Sequence, residues 1–167
     1  FVFLSGGDAM RVLGVDPGTH RMGFGILDSD GRNYTLVICG TIRAASKDPI
    51  AKRLLHLFES LQKNIEGYHP DVVALESLFF AKDIRAVERI GEARACAMLA
   101  ASKQNLEVVE YAPTEVKKSV TGNGRAAKEQ VQFMVKRLLN LKEAPALDAS
   151  DALAIAMCHI HCAKRKV

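Results

Sequence analysis

Four acidic residues stand where chemistry could use them: Asp16, Glu76, Asp148 and Asp151. Asp16 ends the apolar run Val12-Leu13-Gly14-Val15 and meets a sharp turn at Pro17-Gly18. Glu76 ends Val72-Val73-Ala74-Leu75, and Asp148 and Asp151 precede Ala152-Leu153-Ala154-Ile155. An apolar run that closes in an acid reads as a buried strand delivering one carboxylate to its C-terminal edge, where sites of open α/β sheets lie. Asp148 and Asp151, three residues apart, share one helix face. Four carboxylates at close range repel one another unless cations lie between them, so their convergence would imply a metal site. Two divalent ions roughly 3.5–4 Å apart suit phosphodiester hydrolysis, and magnesium suits an all-oxygen donor set. Singly, each acid has an ordinary use. Asp16 could shape its turn, Glu76 could cap the segment after its strand, and the two aspartates could complement a helix dipole. The recurrence of acid, turn and element end favours function.

Basic residues supply a second feature. Lys117, Lys118, Arg125 and Lys128 flank Thr121-Gly122-Asn123-Gly124. Glycines let backbone N–H groups approach phosphates, a helix start near Ala126 favours anions, and these cations would hold a nucleic-acid backbone without reading its sequence. A solvated charged face explains the same residues about equally well. Phe79 and Phe80 come three and four residues after Glu76. One is expected to dip into the core and the other to be exposed, where it could stack on bases or wedge between them.

Regular elements must carry these groups. Residues 11–16 form a strand, and Gly18, Gly23 and Gly25 punctuate a tight return into a second strand. Asp30-Gly31 signals a hairpin into a third. A helix opens at Asp48-Pro49, buries Ile50, Leu54, Leu57, Leu61 and Ile65, turns Lys52, Arg53 and Lys63 outward, and ends at Gly67. Residues 72–75 are apolar throughout and read as a central parallel strand. A long helix over 84–104 carries Gly91, Ala93, Ala95, Ala97, Ala100 and Ala101. Such small residues suit close packing, on the domain's own sheet or across a two-fold axis. A last strand spans 106–111, Pro113-Thr114 opens a short helix, and another runs from 126 to 139 on Val131, Met134, Val135 and Leu138. The final helix runs from Asp148 to the basic tail. Three hairpin strands, then helix–strand–helix–strand and further helices, make an α/β fold, a mixed five-stranded sheet with helices on its faces. Gly23-x-Gly25 lacks the third glycine and adjoining helix of a dinucleotide site.

The chain has 167 residues, 49% of them apolar, which favours one domain over residues 10–167. Residues 1–9 read as an expression remnant or an N-terminal extension, with Met10 a natural start. A net charge of +4, from 23 Lys and Arg against 19 Asp and Glu, leans weakly towards a polyanionic partner. No run suits a signal peptide or a membrane span, so no membrane is expected. Cys39, Cys96, Cys158 and Cys162 fit neither a disulfide framework nor a paired zinc motif, and reduced thiols in a cytoplasmic protein fit best. Cys158 and Cys162 read as buried small groups on one helix face rather than metal ligands.

Several long motifs together resemble one family. They are Gly14-Val15-Asp16-Pro17-Gly18-Thr19 with Gly23-Phe24-Gly25, the stretch from Glu76 to Lys82, the stretch from Gly122 to Val131, and Asp148-Ala149-Ser150-Asp151-Ala152-Leu153-Ala154. Their order and spacing across residues 10–167 resemble RuvC, the bacterial Holliday junction resolvases. The resemblance implies a ribonuclease-H-like fold and a homodimer joined through helix 84–104. It places catalytic, metal-binding acids on Asp16, Glu76, Asp148 and Asp151. These would hold two Mg²⁺ ions, with Mn²⁺ able to substitute. It also implies symmetric nicking of two strands of like polarity in a four-way DNA junction, leaving ligatable 5′-phosphate and 3′-hydroxyl ends, with a preference around a TT step. Phe79 matches an aromatic that engages unstacked bases, Lys117 and Lys128 match basic positions that handle DNA, and RuvA and RuvB, the branch-migration motor, are the implied partners. Met22 and Ala127 depart from common family residues without touching the four acids. Rival readings are an actin-like or sugar-kinase ATPase, for which the chain is short, another ribonuclease-H-like nuclease, and a protein that shapes junctions without cutting them.

Overall fold

A computed structural model describes residues 9–78 and 84–164. Strands β1 (Met10–Asp16), β2 (Arg21–Ser29) and β3 (Tyr34–Arg43) form an antiparallel meander, and β4 (Val72–Glu76) and β5 (Glu107–Tyr111) add in parallel on the other side of β1. The order is β3-β2-β1-β4-β5, a mixed five-stranded sheet with its direction change at β1. Helix α1 (Ile50–Tyr68) carries the crossover from β3 to β4, and α2 (Ile84–Lys103) that from β4 to β5. The chain then closes with α3 (Pro113–Thr121), α4 (Lys128–Leu138) and α5 (Leu147–Lys164). No helix among the described residues is long and apolar enough to cross a membrane.

Two apolar clusters sandwich the sheet. Leu13, Val15, Val73 and Leu75 point to the face covered by α1 and α2, where Leu57, Leu61, Ile65, Ala93, Ala97, Ala100 and Ala101 meet them. Val12, Val72 and Ala74 point to the opposite face, under α3, α4 and the apolar length of α5. The alternation in β1 and β4 follows from the two-residue side-chain period of a strand. A strand buried on both faces reads as a continuous apolar run, as these two do.

Glycines decide how closely α5 approaches. A Cβ on Gly14 would stand 2.0 Å from the Ala152 carbonyl oxygen, and one on Gly23 would stand 2.0 Å from that of Asp148. One on Gly25 would stand 2.6 Å from Leu153 Cδ2. Gly23 and Gly25 thus lie inside β2 and admit α5, rather than punctuating the return from β1. The hairpin at Asp30-Gly31 forms as expected: Gly31 has φ +86° and Asp30 Oδ1 accepts the Arg32 and Asn33 N–H groups at 2.7 Å.

Other expectations shift. Helix α1 runs through Gly67 and ends when His69 takes a left-handed conformation, φ 48°. Arg53 faces inward, 6% exposed, and its guanidinium reaches the His20 ring at 2.7 Å. Helix α4 begins at Lys128, two residues beyond Ala126, and Leu138 on it is 39% exposed. The small residues of α2 divide between two faces. Ala93, Ala97, Ala100 and Ala101 are fully buried in the chain's own core, whereas Ala95, Met98 and Leu99 face outward and Gly91 is half-buried.

Candidate active site

β1 and β4 are parallel neighbours paired up to Val15–Leu75, so Asp16 and Glu76 emerge side by side at the same C-terminal edge. Asp148 lies in the first turn of α5 and Asp151 three residues further on the same face, and this helix lies across that edge on Gly14 and Gly23. The start of α5 is itself held in place. The Pro145 carbonyl accepts from Gln132 Nε2 of α4 at 2.7 Å and from Ser150 Oγ at 3.2 Å, and Ser150 N–H donates to the Ala146 carbonyl at 2.8 Å. Four acids from three separate elements therefore meet at the end of the sheet.

Asp16, Glu76 and Asp151 line one cavity of about 220 Å³, together with Pro113, Val116, Lys117, Lys128 and Val131. Asp148 stands beside it, with its carboxylate 4.0 Å from the Arg21 guanidinium. Lys128 Nζ lies 3.0 Å from Asp151 Oδ2. Burial, then the charges of Asp151 and Glu76, push the Asp16 carboxyl up to about 7. Glu76 is raised chiefly by burial and then by Asp151, against the opposing charges of Lys128, Lys117 and Arg94. Burial works against the charge on Lys128, but Asp151, Asp16 and Asp148 outweigh it and raise its pKa.

This electrostatic frustration is a test of the donor set. The carboxylates are hard oxygen donors, they are crowded, and one of them is driven towards its protonated form. A divalent cation would relieve all of this, so the residues fit the magnesium site that four acids imply. A cation's own charge reverses the local pKa logic and keeps such carboxylates ionised.

The basic residues separate. Lys117 and Lys128 line the cavity, from α3 and from the first position of α4. Lys118 and Arg125 are exposed and outside it. Between them, Gly122 caps α3 with φ +78° and Asn123 Oδ1 accepts the Arg125 N–H at 2.9 Å, so the glycine turn is an ordered cap. Phe79, with its neighbour Phe80, lies outside the described residues. None of the four cysteines is in a disulfide, and burial pushes the Cys158 thiol up to about 12. The ligand atoms of Cys158, Cys162 and Glu115 lie within 4.8 Å of one another, away from the acidic cavity.

Sequence reading missed several residues around this site: Arg21 beside Asp148, Gln132 and Ser150 at the start of α5, and Arg94, whose guanidinium donates to the Glu76 carbonyl. Arg94 alone left a signal, a charge on the buried side of an alanine-rich helix. The others depend on contacts between elements that no local pattern encodes.

The family described as crossover junction endodeoxyribonuclease RuvC matches residues 12–159. A crossover junction endodeoxyribonuclease RuvC from Caldicellulosiruptor saccharolyticus is 48% identical over 153 residues, 90% of this chain and 92% of its own length. One from Pseudothermotoga lettingae is 45% identical over 159 residues, 95% of this chain and 97% of its own. The structure of T. thermophilus RuvC in complex with Holliday junction substrate superposes with TM-score 0.89 at 31% identity, covering 94% of this chain and 96% of that one. The shared architecture is the ribonuclease-H-like mixed sheet. With the family matched along nearly the whole sheet-and-helix fold, and relatives close to half identical over nine-tenths of the chain, this chain belongs to the RuvC family of crossover junction endodeoxyribonucleases.

Proposed function

We propose that this protein resolves four-way DNA junctions by nicking two strands of like polarity symmetrically, leaving 5′-phosphate and 3′-hydroxyl ends that ligase can seal, in recombination and repair. The observation that carries this reading is the convergence of Asp16, Glu76 and Asp151 in one cavity beside Lys117 and Lys128, with Asp148 on the same helical turn as Asp151. Asp16, Glu76, Asp148 and Asp151 would hold two Mg²⁺ ions, with Mn²⁺ as a substitute. When bound, such ions supply water activation and stabilisation of the departing 3′ oxygen.

The chain's own residues do the rest. Asp16 and Glu76 are fixed by the strand pairing and act as rigid ligands. Asp148 and Asp151 leave from a helix start packed directly on Gly14 and Gly23 of the sheet. Lys128, at 3.0 Å from Asp151, and Lys117 bring positive charge to the place where a scissile phosphate would lie. Lys118 and Arg125, exposed outside the cavity, would contact the backbone of the arms. Phe79 is assigned to unstacked bases near the crossover.

Residues 10–167 act as a single nuclease domain in this reading. A homodimer through α2 would place two such sites on one junction. The outward face of α2 (Ala95, Met98, Leu99), with exposed Leu55 on α1, supports this arrangement: Leu99 is 62% exposed and Leu55 is 55% exposed. The RuvA–RuvB motor is the expected partner, and the cytoplasm the expected compartment.

The test is cleavage of a labelled mobile four-way junction, with and without Mg²⁺, beside a linear duplex and an RNA–DNA hybrid. Paired symmetric nicks are expected only in the junction, only with metal, and not with Asp16→Asn, which should still bind the junction. Binding without nicking would make the protein a junction-shaping factor. Cutting of the hybrid instead would move it to another activity on the same fold.

A further inference from the structure

Among the described residues of α2, Arg94 is the one charged residue that is buried, with a side chain only 8% exposed. Its guanidinium spans two acceptors on two strands. One terminal nitrogen donates to the backbone carbonyl of Glu76, and the other donates to Glu110 Oε1 at 2.7 Å. The pairing of β1 with β4 ends at Val15–Leu75, so the Glu76 carbonyl lies just past that ladder. Glu110 pairs with Leu75 from β5, and Ser77 N–H donates to the Tyr111 carbonyl at 2.8 Å. Arg94 thus ties the final peptide of β4 to both its neighbour strand and the helix beneath. Only a planar guanidinium reaches two acceptors in this way, whereas an ammonium is a point charge on a flexible stem.

We propose that Arg94 is a positioning residue for Glu76: by holding the Glu76 carbonyl against α2 and Glu110, it sets the direction in which the Glu76 carboxylate leaves the sheet and so the affinity of the site for its divalent ions. The inference rests on the reading of Glu76 as a metal ligand. The physical reason is the one that applies to metal sites generally. A ligand's orientation is set by groups behind it, and loss of such support commonly costs ~10–100-fold in metal affinity. Glu76 is the last residue of its strand, paired with Tyr111 of β5 but past the ladder with β1, and Arg94 adds a side-chain anchor to its carbonyl.

The experiment is Mn²⁺ binding to the protein alone, monitored by electron paramagnetic resonance, together with the Mg²⁺ dependence of junction cleavage. Arg94→Lys keeps the charge and gives up the fork. It should raise the half-saturating Mn²⁺ concentration about 10-fold, and cleavage should recover at high Mg²⁺. Junction binding in EDTA should stay as in the native protein. Unchanged Mn²⁺ binding, with activity lost only in proportion to folded protein, would overturn the proposal. Glu110→Ala removes the outer partner, whose side chain is 39% exposed, and decides the matter should Arg94→Lys fail to fold. A several-fold weakening of Mn²⁺ binding is expected, and none would overturn the proposal. Glu76→Gln tests the underlying reading separately. Native Mn²⁺ binding in that variant would remove Glu76 from the ligand set, and the role of Arg94 would fall with it.

Discussion

Gly23→Ala separates catalytic geometry from the acids themselves. The added Cβ would lie 2.0 Å from the Asp148 carbonyl oxygen and 2.5 Å from its carbonyl carbon. A relaxed C···O contact needs ~3.3 Å, so β2 and the first turn of α5 must part by about 1.3 Å. Neither colliding atom belongs to a flexible side chain, so the helix start has to move. Asp148 moves directly, and Asp151 moves with its turn. Displacements near 1 Å at a catalytic site cost on the order of 100-fold in rate, and overpacking of this kind costs about 1–3 kcal/mol in stability. The assay is single-turnover cleavage of a four-way junction at saturating Mg²⁺, with thermal unfolding and junction binding measured on the same preparation. Gly67→Ala is the matched control, because a Cβ there meets nothing within 4 Å. It should leave cleavage unchanged and leave stability equal or up to ~1 kcal/mol higher. A folded Gly23→Ala protein that cuts at the native rate would refute the claim that glycine contacts set the position of the α5 acids.

Asp16→Asn should stabilise the metal-free protein at pH 8. The Asp16 carboxyl rises from an ordinary 3.8 to about 7 on folding, so the native state holds its proton more tightly. Stability is therefore lost as pH climbs through that window, by roughly 2–4 kcal/mol once Asp16 is ionised. Asparagine avoids the loss. The difference between the two proteins should vanish below about pH 4, and Mg²⁺ should stabilise only the native chain. Urea denaturation in EDTA at pH 4 and 8 checks this, and an Asp16→Asn protein less stable than native at pH 8 would count against it. Lys117→Ala should weaken junction binding and lower the slope of log K against log salt by about one, as for loss of one phosphate contact. An unchanged slope would place Lys117 away from phosphates. Leu99→Glu alters a residue 62% exposed, so it should leave folding intact and, if α2 joins two copies, yield monomers by light scattering. Ala97→Glu would not serve, since Ala97 is fully buried in the chain's own core.

The acids show how function is written against stability. Asp16 and Glu76 are partly buried at the ends of the apolar runs 12–15 and 72–75, and both are pushed towards neutrality. Along much of α1 local pattern and final structure agree, the helical period and the buried face coinciding at Leu57, Leu61 and Ile65. Places where a local rule is broken without local compensation are expected to be functional. Arg94, a cation on an alanine face, and the glycines inside β1 and β2 are the same kind of exception.

Much was legible in the order of residues alone. The apolar runs ending in Asp16 and Glu76 are visible as strands because a strand buried on both faces has no polar positions until it ends. The five strands, the α/β class and the helix over 84–104 come from periodicity, turn residues and prolines, all of which act within a few residues of themselves. The meaning of Gly14 and Gly23 was not legible. A glycine in a strand can signal a turn, a bulge or a close neighbour, and the neighbour here is α5, more than a hundred residues away in the chain. The division of the α2 alanines between core and surface, the inward turn of Arg53 onto His20, and the separation of Lys117 and Lys128 from Lys118 and Arg125 are likewise tertiary facts. Each depends on which element lies against which, and side-chain type alone does not carry that information. Pattern along the chain named the four acids. Only the packing of α5 across the ends of β1 and β4 brought them together, because helix and sheet meet there without a side chain between them.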